Sequence, residues 1–415
     1  MDTLATVAAA ATESTDDVKT VRTTMHELAS DGTLKAVPPR QGYMLFDESV
    51  YVCAHTAAKK GIRFSQVFVW HGNSATAQAK DQAQTAARKV ARENSAQVQT
   101  IQQAREPQSF LQALGGILIT RRGAREGAPK QYLLCGRKHL GHITFDEMDF
   151  GIHALCPGFV YLISFPVTLQ ETKLYLWKGS ACSMEETSAA RLAAMDLSET
   201  GEIIEVDNGA EFASFLKIFG RGTMKLNIPK ATQIWRQKAE APERFEAKLF
   251  RVQQPEQKGG IFAMFTRRPS WNTQSRSNSP YAQDVKVEVK YISPFTQADL
   301  DAEGIYILDA YSELLILLGP LFTALPDPAR STLLGQTLLF AQEYVAAVAA
   351  ERPAPPKGSV IFHGVPQDLK MLFRHWDDSR GLWGTAGLMA GSSAFSGSEV
   401  KMAGLEEVAN AVCRE

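Results

Sequence analysis

Residues 158–197 read GFVYLISFPVTLQETKLYLWKGSACSMEETSAARLAAMDL. Phe159 to Phe165 is a run of aromatic and branched side chains, Pro166 to Glu171 turns the chain, and Lys173 to Trp177 alternates until Gly179 breaks it. That pattern predicts two neighbouring strands of an antiparallel hairpin. Ser183-Met184-Glu185-Glu186 then has the spacing of a capping box, and Ala190, Ala193, Ala194 and Leu197 share one face of the helix it opens. The unit is strand, strand, capped helix.

The same order occurs on both sides of it. Val50–Cys53 and Val67–Trp70 precede Gly72 and an alanine-rich helix over about Ala75–Arg92, in which Ala79, Ala83, Ala86 and Val90 are expected to cover the sheet. Ile305–Leu308 and Leu314–Leu317 precede Gly319 and a helix starting near Pro328, a residue that suits the first helical turn. A second, shorter helix follows each time, at Glu106–Leu114, Ala210–Phe219 and Pro366–Trp376. The three glycines are 107 and 140 residues apart, a spacing of domains rather than of solenoid repeats. The expected fold class is α+β, with three tandem domains, each a central, mostly antiparallel mixed sheet between a long and a short helix.

The expected boundaries follow from composition. Residues 1–16 are a polar tail, and 17–124 the first domain, with Val18–Leu28 read as a short amphipathic helix and Ile117–Thr120 as a strand. The second domain spans 125–240, with Gln131–Cys135, His142–Phe145 and His153–Leu155 as strand candidates and a polar strap over 221–242. The third spans 241–380, its strands Arg244–Val252 and Val285–Ile292 separated by a Ser- and Arg-rich insertion at 253–282. A flexible tail, 381–415, holds a small helix at Met402–Val412 with no visible partner. Trp70 and Trp177 are expected as buried rings at the sheet–helix boundary.

A chain of 415 residues, 45% of them hydrophobic, can bury two to four cores. The net charge of -1 gives no global attraction for nucleic acid, which is not expected as a partner, and leaves any membrane binding to a local patch. Five scattered cysteines argue for a reducing compartment, and no basic leader or long apolar run is present, so a cytoplasmic location is expected. The phosphate-loop, dinucleotide, zinc-protease and hydrolase motifs are all missing, so no catalytic activity is expected. His139, His142, His153 and Cys156 are spaced too irregularly to predict zinc, and His71 and His363 sit before glycines in turns.

The chain resembles the gelsolin/villin/severin family. That family's repeat has a strand near GDxFIL, a second strand ending near YxWxG, and a helix whose early glutamate follows the tryptophan by nine positions. The matching pieces are GFVYLI at 158–163, LYLWKG at 174–179 and Glu186; ESVYVC with VFVWHG in the first copy; and EGIYIL at 303–308 in the third, where Leu317 replaces the tryptophan. The resemblance covers about residues 20–380 and implies an actin partner, with filament-side binding, barbed-end capping and severing. It also implies a calcium cage built from the Asp of GDxF and the helix Glu. Here the Asp positions hold Ser49, Phe159 and Gly304, and the Glu positions hold Ala79, Glu186 and Pro326, so no copy keeps both carboxylates. Calcium is therefore not required, and Glu186 is either a ligand or the far half of a helix cap.

Two surfaces are candidates. In the resembled family the long helix enters the cleft between actin subdomains, and on the matching helix Lys80, Asp81, Gln84, Arg88, Lys89 and Arg92 are available. Arg121, Arg122, Arg125, Lys130, Arg137 and Lys138 place six cations in eighteen residues, opposed in that stretch by Glu126. They suit the filament side or phosphoinositide headgroups, or else a solvated linker. The rival function is a scaffold or membrane-traffic module that keeps the fold without binding actin.

Overall fold

The computed structural model describes residues 18–168, 171–220, 245–253, 287–322, 327–376 and 400–412. The tail 1–16, the strap, the insertion beyond Gln253, Pro326 and most of 381–415 lie outside the described residues. The chain divides into two compact units, the first made of 1–246, 294–297 and 367–377, the second of 247–293, 298–366 and 378–415. The architecture is mixed α+β, with three mixed sheets and few helices, as the resemblance to gelsolin-like repeats implies.

In the first unit, one sheet has the order β2-β1-β4-β5-β6, formed by β1 (Val18–Leu28), β2 (Leu34–Ala36), β4 (Val50–Lys59), β5 (Ile62–His71) and β6 (Gln97–Gln102). Strict alternation in β4 and β5 sends Val50, Val52, Val67 and Val69 to one face, under helix α1 (Ala77–Glu93). It sends Tyr51, Cys53, Phe68 and Trp70 to the other, against Phe110 and Leu111 of α2 (Gln108–Ala113). The buried stripe of α1 is Ala83, Ala87 and Ala91, so the expected face is rotated: Ala79 and Val90 pack at its margin and Ala86 is half-exposed. Val18–Leu28 is a strand and not the expected helix. Five of its eleven residues are Val or Thr, and β4 offers it a full-length antiparallel edge from Tyr51 to Lys59.

The other sheet of this unit has the order β12-β11-β10-β8-β9-β7-β3. It joins β3 (Met44–Phe46), β7 (Ile117–Arg121), β8 (Tyr132–His139), β9 (His142–Met148), β10 (Val160–Pro166), β11 (Thr172–Lys178) and β12 (Ile203–Asp207). Helix α3 (Met184–Leu197) lays Ala190, Ala193 and Ala194 on Leu134, Leu162 and Leu176, while Phe215 of α4 (Ala213–Lys217) meets Tyr175 on the opposite face. The strand at Ile117–Thr120, read with the first domain, pairs in parallel with β9 and carries β3 with it. Residues 152–154 form a short 3-10 turn where a strand was expected, because β8 and β10 already have neighbours on both edges.

The second unit holds a sheet of order β14-β13-β15-β16-β17-β18, from β13 (Lys248–Gln253), β14 (Glu288–Ile292), β15 (Ile305–Asp309), β16 (Glu313–Leu318), β17 (Lys357–His363) and β18 (Lys401–Gly404). Helix α5 (Asp327–Ala349) buries Leu338, Ala341 and Tyr344. Two short helices follow among the described residues, α6 (Gln367–Lys370), whose residues belong to the first unit, and α7 (Leu405–Val412). The expected helix over Met402–Val412 is thus partly strand. Its helical part has a partner after all, since Leu405 and Val408 are buried and α7 lies against α5 and β17.

One turn construction occurs three times. Gly72, Gly179 and Gly319 donate to the carbonyls of Ser49, Phe159 and Gly304, at 3.1, 3.0 and 2.8 Å. A Cβ on these glycines would lie 2.1–2.3 Å from the backbone oxygens of Asp47, Pro157 and Ala302, so only glycine fits. Ahead of each hairpin a buried tyrosine hydroxyl accepts the backbone N–H five residues upstream: Tyr51 from Phe46, Tyr161 from Cys156 and Tyr306 from Asp301. In the two copies that keep it, the tryptophan is buried as expected and its indole donates to a glutamate at the foot of the short helix, Trp70 to Glu106 at 2.7 Å and Trp177 to Glu211 at 2.9 Å.

Candidate interaction surface

Helix α1 presents a polar outer face. Asp81, Arg88, Lys89 and Arg92 are exposed, Lys80 and Gln84 are half-buried, and Gln84 accepts from Thr100 at 3.2 Å. None of the large exposed apolar side chains lies on this helix. Its capping threonine, Thr76, accepts from Ala79 N.

The six cations of 121–138 are all matched by carboxylates: Arg121 with Glu147 at 2.6 Å, Arg122 with Asp149 at 2.5 Å, Arg125 with Glu27 at 2.9 Å, Lys130 with Glu199 at 3.3 Å, Arg137 with Asp146 at 3.9 Å and Lys138 with Glu185 at 2.8 Å. Arg121 and Arg137 are also buried, the first with its guanidinium 3.7 Å from the centroid of the Tyr132 ring and the second donating to the carbonyls of Met371 and Phe373. Lys130 and Arg121 line a cleft of about 170 Å³ with Ser164 and Glu199. Folding therefore buries Arg121 and Arg137 and pairs the other four with carboxylates, while the Arg122 and Lys130 side chains stay 41% and 51% exposed.

Glu186 is buried and both of its oxygens accept from backbone: Oε2 from Ser183 N at 2.8 Å and Oε1 from Lys138 N at 3.1 Å, with Ser183 Oγ accepting Glu186 N in return. The capping box is formed. At the strand positions of the implied calcium cage, Ser49 donates its hydroxyl to Glu27 at 2.7 Å and Phe159 offers a buried ring. This donor set does not fit calcium, which needs several convergent free oxygens. Among the described residues no three His, Cys, Asp or Glu converge as metal ligands.

The surface that the sequence reading passed over is the outer face of α3. Met184, Leu192 and Met195 are 86%, 60% and 66% exposed, and with Ser188 they follow the i, i+4, i+8, i+11 spacing of one helix face. Beside Met184 opens a cleft of about 370 Å³ lined by Lys178, Cys182, Thr187, Arg191 and Asn208. The charged rim is ordered by Arg191 and Lys178, which both reach Glu205, and their hydrogen bonds hold that carboxyl down at about 2. The signal was present in the sequence: alanines at 190, 193 and 194 leave larger apolar residues at 184, 192 and 195 with no sheet to cover.

Comparison with known proteins gives three kinds of likeness. Residues 24–122 match a family described as a domain of unknown function, DUF7904. The chain is similar to the human protein flightless-1 homolog, 24% identical over 258 residues, which are 60% of this chain and 17% of that protein. It thus spans less than a fifth of the length of that relative. Among solved structures, Thorarchaeota 2DGel3 in complex with rabbit actin aligns at 18% identity and a TM-score of 0.19, covering 48% of this chain and 99% of that one. Thorarchaeota ProGel, also in complex with rabbit actin, aligns at 22% identity and a TM-score of 0.19, covering 23% and 100%. No helix among the described residues is long and apolar enough to cross a membrane.

Proposed function

We propose that this chain is a non-catalytic, cytoplasmic actin-binding protein that engages the filament through the outer face of α3. The observation that carries the reading is the exposed Met184–Leu192–Met195 stripe, because a few large apolar anchors inside a polar rim supply most of the energy of a protein interface. Actin is proposed as the partner because the strand, tryptophan and glycine motifs described above resemble those of gelsolin-like repeats. The polar face of α1, with Lys80, Asp81, Gln84, Arg88, Lys89 and Arg92, contributes orientation and association rate rather than anchoring. Barbed-end capping is the finer activity proposed, with severing where linked domains engage the filament together. Because the oxygens of Glu186 are committed to backbone N–H groups, binding is proposed to be independent of calcium. Phosphoinositide binding at 121–138 would have to compete with six ion pairs already made.

A second reading rests on the charged outer face of α1, which suits a scaffold or membrane-traffic module better than a cleft-binding helix. High-speed co-sedimentation of the full chain with filamentous actin, with calcium and with chelator, separates the two. Pelleting in both conditions, weakened about tenfold or more by Leu192→Ser with Met195→Ser, supports the actin reading. No pelleting in either condition overturns it and leaves the scaffold.

A further inference from the structure

The hairpin between β4 and β5 ends in a two-residue turn, Lys60-Gly61, with φ of 51° and 82°. Positive φ at both central residues is the type I′ geometry that closes a hairpin tightly and thrusts its tip out. Strand β6 pairs with β5 from Gln66 onward, so the Ile62–Ser65 half of β5 has one edge with no neighbouring strand. On this end Ile62 is 74% exposed, Phe64 41%, and Val21 of the adjoining β1 48%. Ile62 and Phe64 share a face with Phe68 and Trp70, yet they project past the end of the core that those rings fill. Among the described residues nothing covers them.

The same tip carries five exposed cations: Lys59, directly across from Ile62 on its face, Lys60 in the turn, and Lys19, Arg22 and Arg63 on the opposite face of the sheet. The stretches 18–26 and 50–71, which contain all of them, hold no Asp or Glu. Among the described residues none of the five makes an ion pair, whereas all six cations of 121–138 do. Cations on both faces of a projecting tip whose one face exposes Ile and Phe meet two demands of an anionic lipid surface when the tip enters end-on, attraction to the headgroups and apolar groups for the acyl boundary. An acidic protein surface would be served by the cations and would not require Ile62 at the tip.

We propose that the β4–β5 hairpin is a membrane-docking element, which sinks Ile62 and Phe64 into the interface of an anionic phospholipid bilayer while Lys59, Lys60 and Arg63 hold the headgroups. Lys19 and Arg22 on β1 add positive charge beside Arg63 on the opposite face of the sheet. This surface is separate from the α3 stripe and does not depend on the actin reading.

The test is co-sedimentation of the full chain with vesicles of phosphatidylcholine alone and with about 30 mol% phosphatidylserine added, at low and at raised salt. Binding is expected to the anionic vesicles and to fall steeply with salt. Neutralising Lys59, Lys60 and Arg63 to Gln is expected to weaken it about fivefold per cation. Ile62→Ser with Phe64→Ser, exposed sites that the core does not use, is expected to weaken it about tenfold or more while leaving the salt dependence in place. Arg122→Gln with Lys130→Gln is expected to change nothing. Equal binding to neutral vesicles, no binding at all, or loss with the Arg122/Lys130 variant in place of the hairpin variants each overturns the proposal. Loss of actin pelleting in the Gln variant, without any vesicle binding by the parent chain, would instead assign the tip to an acidic protein.

Discussion

A single phenol shows how the hairpins are tied to the turns before them. Tyr51 is fully buried; its oxygen accepts Phe46 N at 3.2 Å and its proton goes to Glu27 at 3.0 Å. Burial, and then the charge of Glu27, push its ionisation well above the ordinary range, so it stays a donor at any working pH. Tyr51→Phe keeps the ring and its 5.7 Å contact with Trp70 but removes the acceptor of a buried N–H. A loss of about 1–3 kcal/mol is expected, read as a lowered urea midpoint with unchanged slope. An unchanged midpoint would mean that the hydroxyl carries no structural weight. The sequence shows Tyr51, Tyr161 and Tyr306 only as apolar members of alternating strands. Their second role depends on where the backbone five residues earlier returns, which periodicity does not encode.

At the scale of the element, the glycine after each hairpin separates a packing constraint from mere punctuation. Gly179 carries no positive φ, yet a Cβ there would sit 2.3 Å from Pro157 O and 2.5 Å from Phe159 O, both rigid backbone. Gly179→Ala is expected to cost at least about 1–3 kcal/mol through forced backbone shifts. Gly335 sits inside α5 with open space around its missing Cβ, and Gly335→Ala is expected to stabilise by about 0.4–1 kcal/mol. Thermal unfolding of the two variants should therefore move in opposite directions; a shared sign would show that helix propensity or steric room has been misjudged. Strand–strand–helix order, the capped start of α3 and the glycine breaks were legible because each is a local pattern. β1 was not, because a Thr- and Val-rich segment becomes a strand only when a long β4 edge is available to it. The face of α1 was read one position off at two sites, since small alanines give a weak periodic signal. The α3 stripe is masked in the sequence because the capping box and the alanine core positions already account for that helix.

At the scale of the whole molecule, the least legible feature is the pairing of residues more than 200 positions apart. Most of Pro366–Trp376, the expected short helix of the third domain, belongs to the first unit, which takes in 367–377, and its Arg374 is buried between Asp146 and Glu106. The guanidinium donates to both oxygens of Asp146 at 2.9 and 3.0 Å and to Glu106 Oε2 at 2.6 Å; Glu106 Oε1 in turn takes the indole of Trp70. Burial alone would raise the Asp146 carboxyl, but Arg374 and then His375 outweigh it and hold it well below the ordinary carboxylate value of 3.8. A depressed folded pKa contributes stability that is present above that ordinary value and lost as pH falls through the folded one. Arg374→Met keeps the side-chain length and strands two buried carboxylates, at an expected cost of about 3–5 kcal/mol near neutral pH. With the main opposing charge gone, burial raises Asp146, so acid unfolding should begin at higher pH in the variant. His139, held down to about 3 first by burial and then by Arg374, takes up a proton on unfolding. It therefore erodes stability below the ordinary imidazole value of 6.5 in both proteins, and less in the variant, so the two effects oppose each other. Tryptophan emission followed against pH, with Trp70 as a reporter inside the cluster, distinguishes them. An onset at higher pH in the variant assigns acid stability to the Asp146–Arg374 pair; an onset at or below that of the parent chain assigns it to His139 and removes the pair from the account.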